Sequence, residues 1–209
     1  MTKTVVTLGF GAALLLAVPS VAIAQQVPSF DPNAIPVDKE PQHKVVFANE
    51  AVRVIDARFP AGYVSLKHTH AADNVAITIA PGRDDAEAAA RIGRAGFSKG
   101  GYSHSVTNSG TSEQRFLDVE ILTSGSIAPD PRQLLGHTLE LENDRVRIYR
   151  VVVANGQSMV GHSHGHGWLA VVVKGGSAAG SYQWHQAGAV SALTNSGTAP
   201  LEIVELEPK

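Results

Sequence analysis

Gly62-Tyr63-Val64-Ser65-Leu66-Lys67-His68-Thr69-His70 returns 94 residues later as Gly156-Gln157-Ser158-Met159-Val160-Gly161-His162-Ser163-His164. In each copy a glycine is followed by five residues and then by two histidines one residue apart. In an extended chain, positions i and i+2 project to the same face, so each pair of imidazoles faces one way. Two neutral imidazoles side by side commonly begin a transition-metal site.

The repetition extends outward from these stretches. His137 answers His43, Asn143 answers Asn49, and Val146 and Ile148 answer Val52 and Val54. The string Thr-Asn-Ser-Gly-Thr stands at 107–111 and again at 194–198, each followed by a strand-like run carrying acid, Asp118-Val119-Glu120 and Ile203-Val204-Glu205. Short β-branched runs such as 45–47, 52–59, 75–79 and 116–122, separated by Gly and Pro turns, read as strands. Residues 83–95, with three alanines behind Asp84-Asp85, predict one or two helical turns in a connection seven residues longer than its counterpart. Two units, 43–122 and 137–209, joined by a Gly/Ser/Pro linker at 123–136, therefore predict an all-β chain of two small barrels.

Residues 1–24 read as a secretory signal peptide: Lys3, an apolar run from Val5 to Val18, then the small-x-small pattern Ala22-Ile23-Ala24. This predicts a periplasmic or secreted protein with no membrane anchor after cleavage. Prolines at 28, 32, 36 and 41 exclude helix from 25–42 and leave an extended arm, either unordered or laid along the first barrel. The chain has no cysteine, which excludes disulfides and thiolate ligands and leaves histidine, carboxylate and amide as donors. Its net charge of −2, with no Lys/Arg cluster, speaks against nucleic acid as a partner.

These motifs resemble those of the cupin superfamily, and their duplication resembles a bicupin. The first family motif is matched by Gly62, His68, His70 and Gly82, and the second by Gly93, Gly101, His104 and Asn108, with Lys99 at the usual proline position. The resemblance implies two tandem double-stranded β-helix (jelly-roll) barrels. It also implies a divalent transition metal (Fe, Mn, Ni, Zn or Cu) held by His68, His70 and His104. The family's glutamate is absent. Asn74, which shares the parity of His68 and His70, is the candidate fourth ligand, whereas Asp73 has the opposite parity. In the second unit Ser191 stands where the third histidine belongs. His162, His164 and His166 share a strand face, but the outer two are about 13 Å apart unless the chain bends at Gly165 or Gly167.

The expected working centre is therefore in the first unit, with the second retaining mainly the shape of a site. Glu120 and Glu205 are expected on an outward, solvated face, and Trp168 and Trp184 in the packing of the second barrel. The resemblance implies a metal-dependent oxygenase, decarboxylase or lyase acting on a small organic substrate. The alternative is a non-catalytic periplasmic module that binds a small ligand or a metal. A monomer or a homodimer is expected, since a duplicated chain can pair its barrels internally.

Overall fold

The computed structural model describes residues 29–123, 134–175 and 178–209. The signal-peptide expectation and most of the linker lie outside them. In the first unit the strands are Ile35–Pro36 (β1), His43–Ala48 (β2), Val52–Phe59 (β3), His68–His70 (β4), Asp73–Pro81 (β5), Ala95–Ser98 (β6), Tyr102–His104 (β7) and Gln114–Ile121 (β8). The second unit contains His137–Glu142 (β9), Val146–Val153 (β10), Trp168–Lys174 (β11), Tyr182–His185 (β12) and Leu201–Pro208 (β13). The 83–95 insertion holds a single helical turn, Ala86–Ala89 (α1), whose start is capped by Asp85 Oδ1 accepting from Ala88 N at 2.8 Å.

Each unit has one five-stranded sheet, ordered β2-β3-β8-β5-β6 in the first and β12-β11-β13-β10-β9 in the second. Read from opposite ends these are the same sheet, so the duplication seen in sequence is a duplication of topology. In the first unit a three-stranded sheet, β1-β4-β7, faces the large one and carries the histidine motif. Its edge is the proline-rich arm: β1 runs parallel to β4, with Ile35 opposite His68. Of the two states open to the arm, residues 35–42 therefore take the ordered one, along the first barrel, and the exclusion of helix fails at Val37–Lys39, a single 3-10 turn that Pro36 precedes rather than interrupts.

The two large sheets pack against each other. Val52, Val54, Val75, Ile77, Leu117, Val119 and Ile121 of the first form one cluster with Val146, Ile148, Leu169, Val171, Val204 and Leu206 of the second. Polar contacts edge this seam. Arg145 Nε donates to Asp73 Oδ2 at 2.7 Å, Arg150 Nη2 to the Gly93 carbonyl at 2.6 Å, and the Tyr182 hydroxyl to the Val46 carbonyl at 3.1 Å. Asp73 is thus committed to the seam, as its parity required.

Alternation then fixes the other face. On β8, Leu117, Val119 and Ile121 enter the seam, so Phe116, Asp118 and Glu120 turn into the first barrel. On β13, Val204 and Leu206 enter the seam, so Ile203, Glu205 and Glu207 turn into the second. The expectation that Glu120 and Glu205 are solvated is overturned: they are 0% and 1% exposed. A sheet with one wet face would have put them outside. A sheet covered on both faces has no wet side to offer, and the carboxylates end up among the histidines.

Candidate metal centre

In the first barrel, the pairing of β4 with β7 places His68 directly opposite His104 and His70 opposite Tyr102. The ring centroids of His68 and His104 lie 4.6 Å apart, and those of His70 and His104 5.2 Å. The three histidines expected from the motifs are therefore brought together. A fourth joins them from the start of β2. The His43 ring is 4.4 Å from that of His68, and His43, His68 and His70 each offer a ligand atom within 4.8 Å of the others.

Ring orientation shows which nitrogens are offered. His68 Nδ1 donates to the Leu66 carbonyl at 2.9 Å, and His43 Nδ1 to Glu40 Oε2 at 2.7 Å, so both rings are held with Nε2 toward the cluster. His68 Nε2 and His104 Nε2 are buried with no hydrogen-bond partner. Unpaired buried nitrogens on facing rings are costly unless something accepts their lone pairs. A divalent metal does so, and this donor set fits one. Burial pushes the His70 imidazole down to about 3, with the neighbouring histidines adding to the effect, and His104 down to about 4. Neutral rings are the form that binds metal.

Asn74 lies behind His70. Its Nδ2 is 3.3 Å from His70 Nδ1, and its Oδ1 accepts from the Tyr102 hydroxyl at 3.3 Å. Both ends of the amide are engaged, so Asn74 orients His70, while His43 occupies the fourth position around the cluster. A half-turn of the amide would let His70 Nδ1–H donate to Oδ1, leaving His70 Nε2 free as a ligand.

A cavity of about 140 Å³ adjoins the cluster, lined by His43, His70, His104 and Asp118 among apolar residues including Phe59 and Phe116. Burial, with the Glu120 charge adding to it, pushes the Asp118 carboxyl up to about 7. Glu120 itself is paired with Arg53.

The second barrel departs most from expectation. His137, His162, His164 and Glu205 each present a donor within 4.8 Å of the others. Glu205 Oε2 lies 2.9 Å from His137 Nε2 and 3.0 Å from His164 Nε2, and Oε1 lies 3.2 Å from His162 Nε2. Burial alone would raise the Glu205 carboxyl, but its close contacts with the three imidazoles, hydrogen bonds from His137 and His164 among them, outweigh it and hold the group far below the usual range. His166, expected as the third imidazole, is partly exposed and pairs with Glu207 Oε1 at 3.2 Å, outside the cluster. The run of three did not need to bend, because the third ring comes from β9 and the carboxylate from β13. A largely apolar cavity of about 340 Å³ opens beside this set, lined by Met159, Val172, Tyr182, Leu193, Ile203 and Glu205 among others. Trp168 is fully buried and stacks on His185 at 4.1 Å, as packing requires.

Strand register makes the two sites comparable. Asp118 stands opposite Ile55 as Glu205 stands opposite Tyr149, and Glu120 opposite Arg53 as Glu207 opposite Arg147. Asp118 and Glu205 are thus equivalent positions, as are His104 and Ser191. Where the second barrel lacks a histidine, its carboxylate is one methylene longer. Motif spacing missed His43, His137 and Glu205, although each sits in the repeated pattern; the signal was the recurrence of His43 as His137 upstream of both motifs.

No protein-family model matches the chain, and no curated protein matches it. Solved structures do. A putative glyoxylate-induced protein from Pseudomonas aeruginosa is similar over 79% of this chain and 77% of its own, at 12% identity and a TM-score of 0.52. A salicylate 1,2-dioxygenase from Pseudaminobacter salicylatoxidans matches 77% of this chain and 72% of its own, at 8% identity and a TM-score of 0.51. A cupin domain from Bordetella pertussis Tohama I is 29% identical over 38% of this chain and 90% of its own, with a TM-score of 0.33. The first two likenesses are of fold and carry no activity across. With its sheet topology built twice and a histidine cluster inside each barrel, the chain has a duplicated cupin-type fold.

Proposed function

We propose that this chain is an exported, divalent-metal-dependent enzyme of the oxygenase, decarboxylase or lyase type, acting on a small organic substrate in the first barrel. The observation that carries the reading is the pair of buried, unpartnered nitrogens, His68 Nε2 and His104 Nε2, beside a cavity walled by Asp118. His43, His68, His70 and His104 would hold the ion. When bound, it would supply Lewis-acid or redox activation of a coordinated ligand.

The remaining roles belong to the protein. Asp118 holds or releases a proton at a carboxylate oxygen near neutrality, as an acid–base group at the cavity wall must. Tyr102, stacked on His70 at 5.1 Å and bonded to Asn74, holds that ring in place. Phe59 and Phe116 give the cavity an apolar wall. Its volume suits a substrate of a few heavy atoms. Export rests on the signal-like pattern of residues 1–24. The packed seam between the barrels supports a monomer that pairs its two units internally.

The test is elemental analysis of the purified mature protein beside His104→Ala, with oxygen-uptake and product assays on small carboxylic acids. Bound metal that falls in the variant, together with metal-dependent turnover, is expected. Absence of metal from both proteins would remove the reading. The small cavity beside the histidines also favours a second one, a non-catalytic protein that captures a small ligand or a metal. Ligand-induced melting shifts with no turnover across the same assays would select it.

A further inference from the structure

The two clusters differ in their donors, and the difference follows equivalent positions. The first offers four neutral imidazoles and no carboxylate; Asp118 stands at the position that brings Glu205 into the second, one methylene shorter. The second offers three imidazoles and the Glu205 carboxylate. The fourth imidazole of the first site comes from the strand beside the arm. His43 is 3% exposed, and its Nδ1 donates to Glu40, itself 1% exposed, at 2.7 Å. Glu40 is in turn held by the Tyr63 hydroxyl at 3.0 Å and the Gln42 amide at 2.7 Å. Burial would raise the Glu40 carboxyl, but hydrogen bonds led by that from His43 bring it below its usual value, so it stands as an anion behind the ring. Among the described residues of the second barrel the counterpart is a carbonyl rather than a carboxylate: His137 Nδ1 donates to the Leu135 carbonyl at 3.0 Å.

We propose that the first barrel is a four-imidazole, all-nitrogen metal site, completed by His43 under the hold of Glu40, and that it selects Cu(II) while the second barrel, through Glu205, takes Mn(II). The inference rests on the reading of the first cluster as a metal site and adds the hold of Glu40 on His43 and the metal class of each barrel. Imidazole-only sites favour ions late in the first-row order, with Cu(II) at its peak. A carboxylate suits harder, earlier ions such as Mn(II) and neutralises one of their charges. The four rings supply no charge, so the Glu40 anion, reached through the imidazole of His43, is the nearest compensation among the groups that hold the ring. Nitrogens bound to one ion at about 2.1 Å lie at most about 4.2 Å apart; donor atoms of His43, His68 and His70 already lie within 4.8 Å of one another, and the His104 ring centroid is 4.6 Å from that of His68.

The test uses the full mature chain stripped of metal, then loaded with one equivalent of Cu(II) or of Mn(II) at neutral pH. Electron paramagnetic resonance and spin-echo modulation count the imidazoles on copper, and titration gives affinity. Four imidazoles are expected on the first equivalent of Cu(II) in the wild type and in Glu205→Gln, and three in His43→Gln. Glu40→Gln should retain four and lose about 10–100-fold in affinity. Mn(II) binding should disappear in Glu205→Gln and survive His43→Gln. Circular dichroism establishes that each variant is folded, and His68→Ala provides a second route should His43→Gln unfold. An unchanged copper spectrum in His43→Gln, or a first Cu(II) equivalent lost in Glu205→Gln, overturns the proposal. Binding of no metal at all overturns the underlying reading as well, so the two failures are distinguishable.

Discussion

Asp118 sits in an environment that opposes its charge. Its folded-state value of about 7 exceeds the unfolded 3.8, so between these pH values the folded chain keeps a proton that the unfolded chain releases. Stability contributed by this group is complete below about pH 4, is lost as pH rises through 7, and stays lost above it. Asp118→Asn should therefore raise the melting temperature of the metal-free protein by several degrees at pH 8, with the gain shrinking toward pH 4. A gain independent of pH would show that the carboxylate is not desolvated. Asn108 is a different case, because its value lies in donors. Its Nδ2 reaches the Phe59, Pro60 and Ser112 carbonyls at 2.8–3.1 Å, while Oδ1 accepts from Gly110 N. Asn195 repeats this with Val153, Ala199 and Gly197. Asn108→Asp keeps the acceptor and abolishes the donors, so a cost of about 1–3 kcal/mol in urea unfolding is expected. An isoenergetic variant would refute that assignment.

At the level of elements, the turns that launch each histidine stretch depend on backbone conformation. Gly62 and Gly156 have φ of +76° and +71°, and neither would meet a neighbour if given a Cβ. Gly62→Ala and Gly156→Ala should therefore each cost about 1–2 kcal/mol from the left-handed backbone alone, measured by denaturant unfolding. Gly110 is constrained differently: a Cβ there would fall 1.9 Å from the Gly82 carbonyl oxygen, so Gly110→Ala must displace the loop that Asn108 organises. A milder effect at Gly110 than at Gly62 would contradict this ordering. The arm belongs to the same scale. β1 makes only a two-residue ladder with β4, yet the turn that follows it carries Glu40 to His43.

For the whole molecule, the shared seam joins the fates of the barrels. Val119 and Val204 lie in one cluster, and the faces they cover would be wet if either unit stood alone. Calorimetry should show a single cooperative transition for both units. Leu206→Ala, fully buried in the seam, should lower that transition as a whole, by about 2–5 kcal/mol. Two resolved transitions, or a loss confined to one, would mean that the barrels fold independently.

The sequence by itself determined the strand-rich class, the duplication and the grouping of the three histidines His68, His70 and His104, because these reside in local spacing and period-two alternation. It also placed Asn74 and Asp73 correctly on opposite faces, since parity is a property of a single strand. Only the tertiary structure decided which strand faces were dry. The sheets cover each other, so the second face of β8 and β13 turns into the barrels, and Asp118, Glu120, Glu205 and Glu207 go with it. Closure of each barrel likewise carried His43 and His137, 25 residues upstream of their partner histidines, onto the clusters. The second site looked vacated from its motif because motif spacing follows one segment of chain, whereas a metal site is assembled from whichever strands meet inside the barrel.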